Sequence, residues 1–288
     1  SECDLLLAIG ARFDDRVTGK VESFAPHAKI VHIDIDPAEL GKNVKVDISI
    51  AGDVRTVVVD LLKNLVCNPD PAWEEKIKLW KKEYPLASDS GEGGMRPQTV
   101  IREIADLLAD KPFRVTTEVG QNQMWTAQYF PFTRPRSFIS SGGLGTMGYG
   151  FPAAIGVQAA CPDEVVFDIA GDGSIQMNIQ ELATAVNYEL PVNVAILDNN
   201  FLGMIRQWQE LFYDRRYAHS ELKNPDFVRV AEAYGAEGIR VEKAAEIRPA
   251  LEQAIASSKP VFLDFIIERE ENVMPMVPPG EAINKMLG

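Results

Sequence analysis

Asp172 lies between two glycines in residues 165–174, directly after an apolar stretch that is typical of a buried strand. A second apolar stretch, residues 192–198, leads directly to Asn199. A carboxylate and an amide oxygen are ligands that Mg²⁺ takes together with phosphate oxygens and water. Gly173 allows a tight turn, and the amides that open the next helix can face a phosphate. The two runs therefore predict a site for magnesium and a phosphate group.

Each half of this pattern also has a purely structural interpretation, because Gly-Asp-Gly is common in turns and an asparagine pair is common at helix caps. The residues between the two halves favour a ligand-binding site over this structural interpretation. Ile175, Ile179, Leu182 and Val186 have the spacing of one buried helical stripe. A strand, a helix and a parallel strand bring both runs to one carboxyl edge of the sheet, which is where ligands bind in open parallel sheets.

Strand patterns alternate with helical periods along the chain, which predicts an α/β fold with two doubly wound, mostly parallel sheets. Strands are predicted at residues 4–10, 29–34, 46–51, 114–117, 164–169, 192–197 and 261–267. Helices are predicted at residues 55–65, 73–80 and 97–110, the last with proline in its first turn. A polar region with a flexible loop at residues 88–94 marks the boundary between two domains.

The composition is that of a globular chain, and 288 residues suit two domains better than one. The formal charge of −13 disfavours nucleic acid and anionic lipid as partners. No apolar run approaches the roughly 18 residues of a membrane-spanning helix, so no membrane partner is expected. Three scattered cysteines (Cys3, Cys67, Cys161) indicate a reducing compartment, either the cytoplasm or an organelle matrix.

The chain begins at Ser1, without methionine, and enters a strand pattern almost at once. A buried parallel strand needs neighbours on its flanks. We therefore expect the chain to be the carboxyl-terminal part of a longer polypeptide.

Three motifs, at residues 171–184, 202–208 and 10–16, together resemble the catalytic large subunit of acetohydroxyacid synthase, also called acetolactate synthase. This family depends on thiamine diphosphate, and the likeness covers nearly the whole chain. The resemblance implies a condensation of two 2-keto acids with loss of CO₂, in branched-chain amino-acid biosynthesis. Two molecules of pyruvate would give 2-acetolactate, and pyruvate with 2-ketobutyrate would give 2-aceto-2-hydroxybutyrate.

The resemblance also implies a domain organisation. Residues 1–66 correspond to the second half of a central FAD-binding domain, residues 67–95 to a linker, and residues 96–288 to the domain that binds thiamine diphosphate. In the family, the glutamate that activates this cofactor lies in an amino-terminal domain that residues 1–288 do not match. We therefore expect the chain alone to be inactive. A homodimer or homotetramer of catalytic subunits and a small regulatory subunit are the implied partners.

By the same resemblance, the ligands of magnesium are Asp172, Asn199 and the main chain of Phe201. The implied contacts of thiamine diphosphate are Gln121, Gly145, Thr146, Met147, Asp172, Gly173, Ser174, Asn199, Phe201, Leu202, Gly203 and Met204. Met147 is implied to be an apolar wedge that bends the cofactor. Met147 and Met204 are both implied to be catalytic residues. Asn122 departs from the pattern, since the family usually has histidine there.

The first domain gives only a weak indication of dinucleotide binding, because Gly10-Ala-Arg at a strand end is not the G-x-G-x-x-G fingerprint. The resemblance assigns FAD contacts to Gly10, Arg12, Phe13, Asp14, Asp15, Asp34, Ile35, Asp53 and Val54. The structural alternative for residues 12–16 is a solvated loop with surface ion pairs.

Two residues are implied to recognise substrate. Arg16 can bind a carboxylate through a two-pronged contact, and the resemblance implies that it holds the second 2-keto acid. Trp208 is implied to shape the acceptor pocket so that ethyl is favoured over methyl; its structural alternative is a buried core tryptophan.

Two other functions stay open at this stage. One is another thiamine diphosphate-dependent enzyme, such as a catabolic acetolactate synthase without flavin, glyoxylate carboligase or pyruvate oxidase. The other is a non-catalytic fragment, which the missing activating glutamate favours.

Overall fold

The computed structural model describes residues 1–66, 69–86 and 94–288, which form two compact units. Residues 1–85 and 274–288 make up the first unit, and residues 86–273 make up the second. Cys67 and residues 88–93 of the predicted loop lie outside the described residues. Cys3 and Cys161 are free thiols. Among the described helices, none has the length and apolar character needed to cross a bilayer.

The described strands are β1 (Leu5–Ile9), β2 (Lys29–Asp34), β3 (Ile48–Ala51), β4 (Phe113–Thr117), β5 (Phe138–Ser140), β6 (Val165–Gly171), β7 (Asn193–Asp198), β8 (Glu237–Val241) and β9 (Val261–Ile266). The described helices are α1 (Asp15–Thr18), α2 (Val54–Asn64), α3 (Pro71–Glu83), α4 (Pro97–Leu108), α5 (Gln121–Tyr129), α6 (Gly150–Ala160), α7 (Asp172–Ile175), α8 (Leu182–Asn187), α9 (Gly203–Phe212), α10 (Phe227–Tyr234) and α11 (Ala244–Ala256).

The first unit is built on a parallel sheet in the order β1-β2-β3. Residues 274–288 belong to this unit, although the sequence predicted residues 96–288 to form one domain. Two backbone contacts account for the difference. Gly19 and Ala282 form an antiparallel bridge, and the Lys20 N–H donates to the Glu281 carbonyl at 3.0 Å.

The second unit is built on a parallel sheet in the order β5-β4-β6-β7-β9-β8. Successive strand residues point to opposite faces, so the sheet carries two apolar cores. One core contains side chains of α4, α5 and α11, and the other contains side chains of α6, α8 and α10. Helices on both faces of a parallel sheet confirm the doubly wound α/β prediction for this unit.

Three details differ from the sequence-based expectation. The pattern did not predict β5, which has only three residues, or β8, whose Glu237, Gly238 and Arg240 are poor strand formers. The continuous helix predicted from Ile175 to Val186 is wrong. The segment divides into α7, a 3₁₀ turn at Ile179–Glu181 and α8. The helix is interrupted at Asn178, whose side chain donates to the Gly148 carbonyl at 2.7 Å.

Candidate functional site

A cleft lies at the carboxyl ends of β4, β6 and β7, which are neighbours in the second sheet. The chain segments that follow adjacent parallel strands meet at this edge. The residues that line the cleft are Val119, Gly120, Gln121, Asn122, Trp125, Met147, Gly171, Asp172, Gly173, Ser174, Leu197, Asn199, Phe201, Leu202 and Gly203. The prediction that the runs around Asp172 and Asn199 converge is confirmed.

Asp172 is the first residue of α7 and follows β6 directly. Its carboxylate is buried, and its Oδ1 accepts the N–H of Gly173 at 2.9 Å. Asn199 follows β7, and its Oδ1 accepts the N–H of Phe201 at 3.1 Å. Asn199, Phe201 and Asp172 all line the cleft. The Gly173 N–H is already hydrogen-bonded to the Asp172 carboxylate.

Burial raises the pKa of Asp172 to about 8, with hydrogen bonds from Asn224 opposing the shift and the nearby Asp198 carboxyl adding to it. A bound cation would compensate the buried negative charge. Within the described ranges there is no cluster of three His, Cys, Asp or Glu side chains suited to a metal. A cation here would therefore depend on Asp172, on amide and carbonyl oxygens, and on oxygens of a bound phosphate, a donor set that fits Mg²⁺.

Gln121 forms another wall of the cleft at the start of α5. Its Nε2 donates to Gln207 Oε1 at 2.9 Å and to the Glu271 carbonyl at 3.1 Å, and its Oε1 accepts from Asn199 Nδ2 at 3.4 Å. A Cβ at Gly203 would lie 2.0 Å from Gln121 Oε1. Residue 203 must therefore be glycine for Gln121 to keep this position.

Asn122, which departs from the family pattern, also lines the cleft. Its side chain is buried, and its Nδ2 donates to the Ile169 carbonyl of β6 at 2.8 Å. The amide therefore ties α5 to the neighbouring strand.

The glycine-rich loop before α6 contributes Met147 to the cleft. Gly145 takes a left-handed conformation, with φ of +65°, and the Thr146 N–H donates to Ser141 Oγ at 3.0 Å. Gly145, Thr146 and Met204 lie outside the lining residues given above. Of the residues expected around thiamine diphosphate, the structure thus brings most, but not these three, to the cleft.

A buried carboxylate anchors the end of this loop. Glu118 follows β4, and it accepts the N–H of Gly148 at 2.6 Å and the N–H of Phe151 at 3.0 Å. Burial raises the pKa of Glu118, and these backbone hydrogen bonds oppose the rise. Burial also raises the pKa of Asp168, which accepts from Thr116 Oγ1 at 2.9 Å, and the Glu118 charge adds to that shift.

The two residues expected to recognise substrate lie in different units. Trp208 is half-buried on α9, and its ring packs edge-on against Phe212 with centroids 5.4 Å apart. It lies outside the cleft-lining set. Arg16 is exposed on α1 of the first unit.

The residues expected to contact FAD follow the strands of the first sheet. Gly10 comes directly after β1, Asp34 ends β2, and Asp53 comes shortly after β3. Asp53 caps α2 by accepting from the Arg55 N–H at 3.0 Å. The remaining members of the predicted set are Arg12, Phe13, Asp14, Asp15, Ile35 and Val54; Phe13 is buried, Asp14 is half-buried and the other four are exposed.

The space around Gly10, at this edge of the first sheet, is open. Gly10 has a φ of +61°, and a Cβ there would meet nothing within 4 Å. Asp34 Oδ1 accepts the N–H of Asp36 at 2.9 Å, and Arg12 pairs with Asp14 at 2.8 Å. Phe13 packs its ring against Phe24 and His32, so its backbone is the part that remains at the edge.

Sequence reasoning missed Glu118, Asp198, Gln207 and Asn224. Glu118 stands in the same short run as Gln121, and a buried acid directly after a strand is a usable signal. Asn224 precedes a proline, which predicts a turn but no function.

Two family descriptions match this chain. Residues 118–265 match the thiamine pyrophosphate enzyme C-terminal TPP binding domain, and residues 1–61 match the thiamine pyrophosphate enzyme central domain. The first match alone spans more than half of the chain and contains the cleft. The chain belongs to the thiamine pyrophosphate enzymes.

The chain is also similar to several individual proteins. The chain is 48% identical to the acetolactate synthase large subunit of Parasynechococcus marenigrum (strain WH8102), with 100% of the chain and 47% of the relative aligned. It is 46% identical to the acetolactate synthase large subunit of Cyanidium caldarium, with 100% and 50% aligned. It is 43% identical to the acetolactate synthase isozyme 2 large subunit of Escherichia coli (strain K12), with 99% and 52% aligned. The chain thus spans about half the length of these relatives.

Proposed function

We propose that this chain is the carboxyl-terminal half of an acetolactate synthase large subunit. The observation that carries the proposal is the convergence of Asp172, Asn199 and the Phe201 main chain in one cleft of a domain that matches the thiamine pyrophosphate enzymes. The order of the two matched domains and the names of the relatives support the same reading. The reaction would join two 2-keto acids with loss of CO₂.

Magnesium would be held by the Asp172 carboxylate, the Asn199 amide oxygen and the Phe201 carbonyl. The burial of this carboxylate supports this set, because a bound cation would offset the cost of burying its negative charge. Mg²⁺ takes six oxygen ligands in near-octahedral geometry. Diphosphate oxygens and water would supply the ligands that the chain does not.

Thiamine diphosphate, when bound, supplies an electron sink for the decarboxylation of a 2-keto acid. The chain would position this group and exclude water from it. Met147 would give an apolar contact from the glycine-rich loop, and Gln121 a polar contact from α5. Glu118 would hold the loop in place from behind through Gly148 and Phe151.

FAD would lie along the carboxyl edge of the first sheet, near Gly10, Asp34 and Asp53. The open space at Gly10 and the exposure of Ile35 and Val54 support this position. In this proposal, the flavin has a structural role in the overall reaction.

Substrate choice would depend on Arg16, which carries the charge needed to bind a 2-keto acid carboxylate, and on Trp208, which would shape the acceptor pocket. The naming of the relatives as large subunits supports a small subunit as partner. We also propose a homodimer or homotetramer of large subunits, in the cytoplasm or an organelle matrix.

The proposal is tested by acetolactate formation from pyruvate. The large subunit that contains residues 1–288 is supplied with thiamine diphosphate, Mg²⁺ and FAD, and acetolactate is measured as acetoin after acid treatment. We expect activity in the wild type, a loss of about 100-fold or more in Asp172→Asn, and no loss in Asp163→Asn, a matched change at an exposed aspartate. Formation of acetyl phosphate from pyruvate, inorganic phosphate and O₂, with flavin turnover, would instead indicate an oxidase. Full activity in Asp172→Asn would overturn the metal assignment.

A further inference from the structure

Two carboxylates share one hydrogen-bond donor at the edge of the second sheet. Asn224 Nδ2 donates to Asp172 Oδ2 at 2.7 Å and to Asp198 Oδ1 at 2.9 Å. Both acids are buried, with Asp172 2% and Asp198 5% exposed. Like charges this close repel, and the two hydrogens of the Asn224 amide offset part of this repulsion with one bond to each acid.

The turn that carries Asn224 is held beside the cleft by main-chain contacts. Phe201 and Glu221 form an antiparallel bridge. The Leu202 N–H donates to the Ser220 carbonyl at 2.7 Å, and the Leu222 N–H donates to the Asn200 carbonyl at 2.9 Å. Residues 220–222 therefore pair with residues 200–202, which come directly after Asn199.

The orientation of the Asn224 amide is also determined. Gln176 Nε2 donates to Asn224 Oδ1 at 3.1 Å and to the Asp172 carbonyl at 2.8 Å. Because the Asn224 oxygen accepts this bond, its Nδ2 is the atom that faces the two carboxylates. A flipped amide would place an oxygen against two carboxylate oxygens.

We propose that Asn224 is a positioning residue for the cation ligand Asp172. It holds Oδ2 of the carboxylate, which leaves Oδ1, an atom that accepts the Gly173 N–H and keeps a lone pair, to bind the cation. This inference rests on the proposed function, in which Asp172 is a magnesium ligand. Residues that orient metal ligands are typically worth about 10- to 100-fold in metal affinity.

The test is Mn²⁺ affinity, measured by electron paramagnetic resonance in the presence of saturating thiamine diphosphate, on the large subunit that contains this chain. Asn224→Leu removes the donor and keeps a similar volume. We expect its dissociation constant for Mn²⁺ to rise about 10- to 100-fold, with the midpoint of thermal unfolding in the absence of metal within a few degrees of wild type. Gln253→Ala, which removes an exposed amide on α11, is the control and should bind Mn²⁺ like wild type.

A second variant covers a failure of Asn224→Leu to fold. Gln176 is exposed, so Gln176→Ala should fold and yet weaken the hold on the Asn224 amide. Gln176→Ala removes the bond to Asn224 Oδ1 and the bond to the Asp172 carbonyl, which predicts a rise of about 2- to 10-fold in the Mn²⁺ dissociation constant.

The outcomes separate this inference from the proposed function. If the wild type binds no Mn²⁺ with thiamine diphosphate, the magnesium site itself is wrong. If the wild type binds Mn²⁺ and both Asn224→Leu and Gln176→Ala bind it equally well, the positioning role of Asn224 is refuted while the site stands.

Discussion

Replacement of Glu118 by alanine should loosen the glycine-rich loop. The carboxylate accepts the N–H groups of Gly148 and Phe151 at 2.6 and 3.0 Å in a fully buried position. Each buried N–H that loses its acceptor costs about 1–3 kcal/mol, so the two together cost about 2–6 kcal/mol. Removal of a carboxyl whose pKa is raised by burial offsets part of this cost. We expect a net local destabilisation of about 2 kcal/mol.

Hydrogen–deuterium exchange of the amides of Gly148 and Phe151 measures this effect where it arises. A local loss of about 2 kcal/mol predicts about 30-fold less protection at these amides. Glu118→Gln retains one acceptor oxygen and should lose less protection. Glu232→Ala, on the exposed side of α10, is the control and should leave protection unchanged. Wild-type protection in Glu118→Ala would show that the carboxylate does not anchor the loop.

Three further changes have defined outcomes. Gly203→Ala places a Cβ 2.0 Å from Gln121 Oε1, so it should displace Gln121 and weaken thiamine diphosphate binding about 10-fold, measured by calorimetry. Burial raises the pKa of Asp264 from 3.8 to about 6, with Asp198 adding to the rise. The stability that this group contributes is fully present below pH 3.8 and is lost as pH rises through about 6. As pH rises from 3.5 to 7, the free energy of unfolding of Asp264→Asn should therefore rise by about 3 kcal/mol relative to that of wild type. Trp208→Leu should keep acetolactate formation and lower the preference for 2-ketobutyrate over pyruvate by about 5-fold or more, in direct competition.

Each of these changes has a contradicting result. Gly156→Ala is the control for the added methyl group, because its Cβ would meet nothing within 4 Å; equal cofactor affinity in Gly203→Ala would refute the steric role of Gly203. A stability difference between Asp264→Asn and wild type that does not change with pH would show that Asp264 has an ordinary pKa in the folded chain. An unmoved product ratio would make Trp208 a packing residue.

The sequence predicted the parts of the site that depend on consecutive elements. Asp172 and Asn199 follow the two strands of one strand–helix–strand unit, so their convergence follows from the topology of a parallel sheet. The long apolar strands were also predictable, with end points within about two residues of those observed. Short or polar edge strands such as β5 and β8 were not, because neighbours in the sheet stabilise them more than their own residues do.

The supporting residues could not be predicted in the same way. Asn224 reaches Asp172 from a segment whose residues 220–222 pair with residues 200–202, and a sequence pattern does not reveal that contact. Glu118 contacts Gly148, which lies 30 positions further along the chain. Gly203 has no unusual backbone angle. Position 203 requires glycine because a Cβ there would collide with Gln121. Tertiary contacts, rather than spacing, define these roles.

The magnesium site is tested most directly by anomalous X-ray diffraction from crystals of the large subunit grown with Mn²⁺ and thiamine diphosphate. The proposed site predicts one Mn²⁺ peak about 2.1 Å from a carboxylate oxygen of Asp172, the amide oxygen of Asn199 and the carbonyl oxygen of Phe201. A Mn²⁺ peak bound to thiamine diphosphate but away from these three residues would contradict the proposed site.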